Sequence, residues 1–126
     1  METVPLVDSQ IADGARIVGA LDNAGVRLDA ALWLYTSDTG SWRLLLATPL
    51  VDTAGPARTY QRVQSALARM DLDHLLSSVS AVSPRSPFIR ALRRAFRTGP
   101  GIASIRLTAS TIDGTYVDDA HLYRVR

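Results

Sequence analysis

The sequence predicts an α+β domain built on a single mixed, mainly antiparallel five-stranded sheet with three helices, in the order α-β-β-α-β-α-β-β. Two hairpin signals carry this reading. Ser37-Asp38-Thr39-Gly40-Ser41 separates one pair of strand-like runs, and Asp113-Gly114 separates a second pair at the end of the chain. The third observation is that helical segments lie between these pairs. A doubly wound nucleotide fold would instead alternate strand and helix regularly. At 126 residues one domain spanning 1–126 is expected, with about two-thirds of the unfolded chain's surface buried on folding.

The first helix is predicted from Asp8 or Ser9 to Ala24, because Ile11, Ala15, Val18 and Leu21 repeat on one stripe. Asp8 or Ser9 would cap it, and Gly25 suits the residue after its end. Gly14 and Gly19 lie inside the helix and weaken it by about 1 kcal/mol each relative to alanine. Two strands follow, Ala30–Thr36 and Trp42–Thr48, joined by a three-residue bulge-type loop in which Gly40 supplies a positive φ. Leu32 and Leu34 face one side, and Trp33 and Tyr35 the other. With both faces apolar, this hairpin belongs in the middle of the sheet or under cover.

Leu50–Ala54 reads as a connection into a second helix, with Gly55 as N-cap and Pro56 at the first helical position. Tyr60, Val63, Leu67 and Met70 form its inward stripe, and Arg58, Arg62, Ser65 and Arg69 its outward one. A polar link at Asp71–His74 leads to a short strand within Ser77–Ser83. Ser86-Pro87 opens a third helix running to Thr98, where Gly99-Pro100-Gly101 stops it. Ala103–Ala109 and Thr115–Val125 make the closing hairpin. Trp33, Tyr35, Trp42, Tyr116 and Tyr123 read most simply as core or sheet-face aromatics.

Composition excludes several function classes. There is no cysteine, so no disulfide scaffold, thiolate zinc site or cysteine nucleophile is available. No apolar run approaches the roughly 18 to 20 residues that cross a bilayer. Met1-Glu2-Thr3-Val4-Pro5 lacks the pattern of a signal peptide, which predicts a cytoplasmic protein. All 14 cationic residues are arginine, and a preference for G/C-rich codons explains that bias without invoking function.

The net charge of +2 is unevenly distributed. Residues 1–53 hold three arginines and seven acids, for −4, and residues 54–73 carry +1. Residues 74–112 hold six arginines and no acid, and residues 113–126 carry −1. Within the basic third, Arg90, Arg93, Arg94 and Arg97 are spaced i, i+3, i+4 and i+7 on one helix face, opposite Phe88, Ile89, Leu92 and Phe96. Four guanidinium groups on one stripe attract phosphate or an acidic protein surface. The plainer reading is a solvated face, or one neutralised by aspartates such as Asp8, Asp13, Asp22 or Asp29. Nucleic acid is the less favoured anionic partner, since no aromatic side chain is interleaved to stack on bases.

His74 and His121 are the two histidines, and Asp119 alternates with His121 on one strand face beside Asp118. Were His74, Asp119 and His121 to meet, two imidazoles and a carboxylate would suit a metal ion or acid–base chemistry. Their spacing matches no metal motif, and polar residues on a solvated sheet face account for them as well. No nucleophile elbow, P-loop or dinucleotide loop is present, so no catalytic residue and no cofactor is implied.

Three stretches together resemble a group of small uncharacterised bacterial proteins: Ala31-Leu32-Trp33-Leu34-Tyr35 with Trp42-Arg43-Leu44; Ser83-Pro84 with Ile89 to Ala95; and Ile112 to Tyr116 with Asp119 to Arg124. The resemblance spans most of residues 29–126 and implies a stand-alone bacterial protein, without implying an activity. The expected function is therefore a non-catalytic cytoplasmic accessory or interaction domain that binds an anionic partner through the arginine face, with a homodimer as one assembly. A small acid–base or metal-assisted enzyme and a nucleic-acid-binding protein are the alternatives.

Overall fold

The computed structural model describes residues 4–126. It is an α+β domain with one mixed five-stranded sheet, as the sequence predicts. The elements are α1 (Asp8–Asn23), β1 (Ala30–Thr36), β2 (Ser41–Ala47), α2 (Leu50–Ala54), α3 (Pro56–Arg69), a 3-10 segment (Asp73–Ser78), β3 (Val79–Val82), α4 (Pro87–Ala95), β4 (Ile105–Ile112) and β5 (Thr115–Val125). The spatial order of the strands is β3-β2-β1-β5-β4. Only β2 and β3 pair in parallel, Leu44 opposite Val79, with α2 and α3 forming the crossover that a parallel pair requires.

The strand β1 is central, which explains why it is apolar on both faces. Trp33, Tyr35, Trp42, Leu44 and Tyr123 meet Ile17, Val18, Leu21, Val63 and Leu67 of α1 and α3 on one side. Ala30, Leu32, Ala47, Ala120 and Leu122 meet Ile89 and Leu92 of α4 on the other. The approach of α1 to the sheet is close. Trp33 Nε1 donates to the Gln10 carbonyl at 3.1 Å, and the Tyr123 hydroxyl donates to the Ile11 carbonyl at 2.6 Å. Gly14 faces this junction, where a Cβ would come within 2.3 Å of the Tyr123 hydroxyl oxygen. The helix interior therefore holds a residue of poor helix propensity because a side chain has no room there.

Several local expectations are corrected. Neither Asp8 nor Ser9 caps α1. The cap is Val7, whose amide donates to the Gln10 side chain at 3.0 Å, and Asp8 and Ser9 lie in the first turn. The β1–β2 loop has four residues, 37–40, closed by the Gly40 amide on the Thr36 carbonyl at 2.9 Å. Leu50–Ala54 is a short helix rather than an irregular connection, and the link after Asp71 is a 3-10 turn. The strand predicted over Ala103–Ala109 is displaced to Ile105–Ile112, and Tyr116, read as a core or sheet-face aromatic, lies on β5 with 60% of its surface exposed. The closing turn behaves as predicted, with Asp113 and Gly114 at φ 47° and 83°, the mirror-image geometry that fits a two-residue hairpin.

The third helix ends at Ala95, short of Thr98. Phe96 is extended at φ −134° and ψ 147°. Two residues on, Thr98 is stitched to β5, its amide donating to the Val125 carbonyl and its hydroxyl accepting from the Val125 amide. That anchoring to the sheet takes the chain out of the helix one turn before its glycine stop. Phe88 and Phe96 are half-buried at the rim of the α4 core, not enclosed by it.

Candidate functional site

Of the arginine stripe, the structure keeps three members on α4 and removes one. Arg90, Arg93 and Arg94 lie on α4, while Arg97 follows its end and no longer shares the helical spacing. Arg94 is paired with Asp113, the first residue of the β4–β5 turn, through both its Nε and Nη2 groups. Arg93 donates from Nε to the Arg126 carbonyl at 2.9 Å. Arg90 and Arg97 are exposed, as is Arg85 just before the helix, and none of the three is in an ion pair with a described residue.

None of the aspartates named as candidates to neutralise this stripe, Asp8, Asp13, Asp22 and Asp29, forms an ion pair with it. Asp13 pairs with Arg16 at 3.5 Å and Asp29 with Arg27 at 2.7 Å. Asp22 holds Arg124, which is almost wholly buried, by two bonds of 2.8 and 2.7 Å, and Arg124 also donates to the Gly101 carbonyl. The helix α1 packs on the sheet face opposite α4, so its aspartates lie a sheet thickness away from the stripe.

The histidines and Asp119 do not assemble. His74 is exposed in the 3-10 segment ahead of β3, at one edge of the sheet, while His121 lies on β5. Two strands separate β3 from β5, which is about 14 Å at the usual strand spacing. Among the described residues no group of three or more His, Asp or Glu side chains is placed to hold a metal ion.

Asp119 and His121 share a face of β5, as the alternation predicts, but they are buried rather than solvated. Arg106, one strand over on β4, clamps Asp119 with two bonds of 2.6 Å, and its guanidinium lies 5.5 Å from the Trp42 ring centre. The hydrogen bond to Asp119 raises the already high pKa of Arg106, so its guanidinium stays charged. Burial, helped by the charge of Arg106, lowers the pKa of His121, which is neutral at pH 7. Its Nε2 lies 3.2 Å from the Ser104 hydroxyl, and its ring meets Tyr123 edge-on at 5.0 Å. Asp119 is thus taken by a structural ion pair, and His121 sits in an aromatic and hydroxyl setting with no carboxylate bonded to it. Arg106 and Ser104 are the two members of this cluster that sequence spacing missed. Arg106 was legible in principle, since a β-hairpin turning at Asp113-Gly114 sets it opposite His121.

No family model, no curated protein and no solved structure matches this chain.

Proposed function

We propose that this chain is a non-catalytic bacterial accessory domain that works in the cytoplasm and docks an acidic protein surface on the side of the sheet that carries α4. The observation that supports this reading most is the charge around that helix. Arg85, Arg90, Arg93, Arg94 and Arg97 cluster there, and Asp113 is the only described acid paired with any of them. Held by Asp113 and the Arg126 carbonyl, Arg94 and Arg93 frame the surface, while Arg85, Arg90 and Arg97 are available to a partner. Long-range attraction of this kind raises the rate of encounter and weakens with salt. A folded acidic surface suits it better than single-stranded nucleic acid, because Phe88 and Phe96 are half-buried against the core and no aromatic ring is interleaved among the arginines. No described helix is long and apolar enough to cross a membrane, and Asp119 is engaged by Arg106.

The test uses a polyglutamate peptide carrying a benzophenone group. Photo-cross-links are expected within residues 85–97, lost at 0.5 M salt, on the order of three times the physiological ionic strength that already screens beyond about 8 Å. They should also be lost in the double variant Arg90→Glu and Arg97→Glu. Cross-links that persist in that variant, or their absence from this segment in the unmodified chain, would overturn the reading. A gel shift with duplex DNA that is steeper in salt and tighter than peptide binding would transfer the site to nucleic acid.

A further inference from the structure

The outward stripe of α3 faces a second cationic surface, on the opposite side of the sheet from α4. Arg58, Arg62 and Arg69 are spaced i, i+4 and i+11, which places them within about 40° of arc and along about 16 Å of helix. Three adjoining hollows of about 360, 230 and 540 Å³ open along this stripe, and Arg62 lines all three. None of the residues lining them is acidic, and none of the three arginines is in an ion pair with a described residue. Arg62 is fixed at the centre by donating from Nη2 to the Ala24 carbonyl at 2.6 Å, at the end of α1. A guanidinium held in place in this way has less freedom to lose on binding than a free side chain.

We infer that this groove along α3, bordered by the end of α1 at one end and by α2 at the other, binds an acidic peptide segment, separately from the α4 surface. Charge complementarity selects an anion, and the length of the stripe selects an elongated one. About five residues of extended chain cover 16 Å. Between the cations lie apolar patches supplied by Ala20, Ala24, Leu50, Ala54, Ala66 and Met70, interspersed with the neutral polar groups of Asn23, Gln61 and Ser65. A peptide that alternates acidic and small apolar side chains matches both features. A bare polyphosphate chain has nothing to place on the apolar patches. No aromatic ring lines the hollows, so the bases of a single-stranded nucleic acid would find no stack.

The probe is a fluorescein-labelled, benzophenone-bearing peptide of alternating Glu and Ala, titrated by fluorescence anisotropy against the full chain. Cross-links are expected within residues 20–25 and 50–70. The double variant Arg58→Glu and Arg69→Glu should weaken binding at this site by about tenfold or more, because two attractive contacts become repulsive. Arg58 and Arg69 are exposed, and circular dichroism of the variant should match the unmodified chain. The α4 variant, Arg90→Glu with Arg97→Glu, should keep the cross-links to 20–25 and 50–70. Loss of the α4 cross-links alone therefore tells against the α4 surface only, and loss of these alone tells against this groove only. No cross-link in this region, cross-links to it that persist undiminished in the α3 variant, or tighter binding of inorganic polyphosphate than of the peptide would overturn the inference.

Discussion

On one face of the sheet, α1 and α3, of 16 and 14 residues, pack against Trp33, Leu44, Leu46 and Tyr123; on the other, the nine-residue α4 alone covers Leu32, Ala120 and Leu122. The first face is closed so tightly that Gly14 has no space for a methyl group, and its polar contacts reach from helix backbone to sheet side chains. The second leaves Phe88 and Phe96 at a half-open rim. Charge is used differently as well. On the α1 side, aspartates tie down Arg16, Arg27 and the buried Arg124, whereas on the α4 side one aspartate meets one arginine of the stripe. The difference teaches that net charge by segment is a poor guide to which cations are free. What decides it is which aspartates the fold brings within a few ångströms of a given guanidinium.

This comparison can be broken most directly at Gly14. Gly14→Ala pushes a methyl group against the Tyr123 hydroxyl and the Trp33 indole nitrogen and endangers both hydrogen bonds to α1. It should destabilise the fold by about 4 kcal/mol, read from the midpoint of urea unfolding. A loss below about 1 kcal/mol would show that α1 stands off the sheet and that the two faces are alike in closeness. On the thinner face, Leu92→Ala empties a fully buried site and should cost about 3 kcal/mol. A much smaller loss would mean that α4 settles into the gap, which sharpens the contrast with Gly14.

Ionisation of Tyr123 probes the closed face without changing its shape. Burial pushes the Tyr123 hydroxyl up to about 12 from its usual value of 10. The neutral form is thus the one the fold favours. Its contribution to stability is complete below pH 10 and is lost progressively as pH rises from about 10 to about 12. Urea unfolding across that range should show a decline that Tyr123→Phe reduces, and ultraviolet titration should find one of the four tyrosines ionising last. If all four tyrosines titrate together near 10, the closed face is open to water. The smallest effect belongs to the exposed pair on the other face. Asp113→Asn removes the charge paired with Arg94 while keeping a side chain that tolerates the positive φ of the turn, should change stability by less than about 1 kcal/mol, and should strengthen cross-linking of the acidic peptide to residues 85–97. Unaltered cross-linking would show that Arg94 does not reach that surface.

Much of the fold is legible because its signals are local. The Asp113-Gly114 turn, the Gly55-Pro56 helix start and the two-sided apolar pattern of β1 each depend on a few neighbouring residues, and each is found where the sequence places it. The end of α4 is less legible, because the Thr98–Val125 contact that ends it spans 27 residues. The fate of the candidate site lies further from view. His74 and His121 are separated by strand order, and Asp119 is claimed by Arg106 across a strand pair. The separation of the histidines is not written in their spacing along the chain, whereas the Arg106 contact follows once the hairpin turning at Asp113-Gly114 sets the register.

The sequence by itself determined the α+β class, the hairpins, the arginine stripes of both helices and the lack of any thiol chemistry, because periodicity, turn residues and composition act over short distances or over none. Only the tertiary structure decided which of those arginines keep their charge for a partner. Ion pairing depends on distances of a few ångströms in space. The sheet set α4 on the face away from the aspartates of α1, and on the α1 face Asp13, Asp22 and Asp29 are taken by Arg16, Arg124 and Arg27, which leaves the arginines of α3 without an ion pair among the described residues.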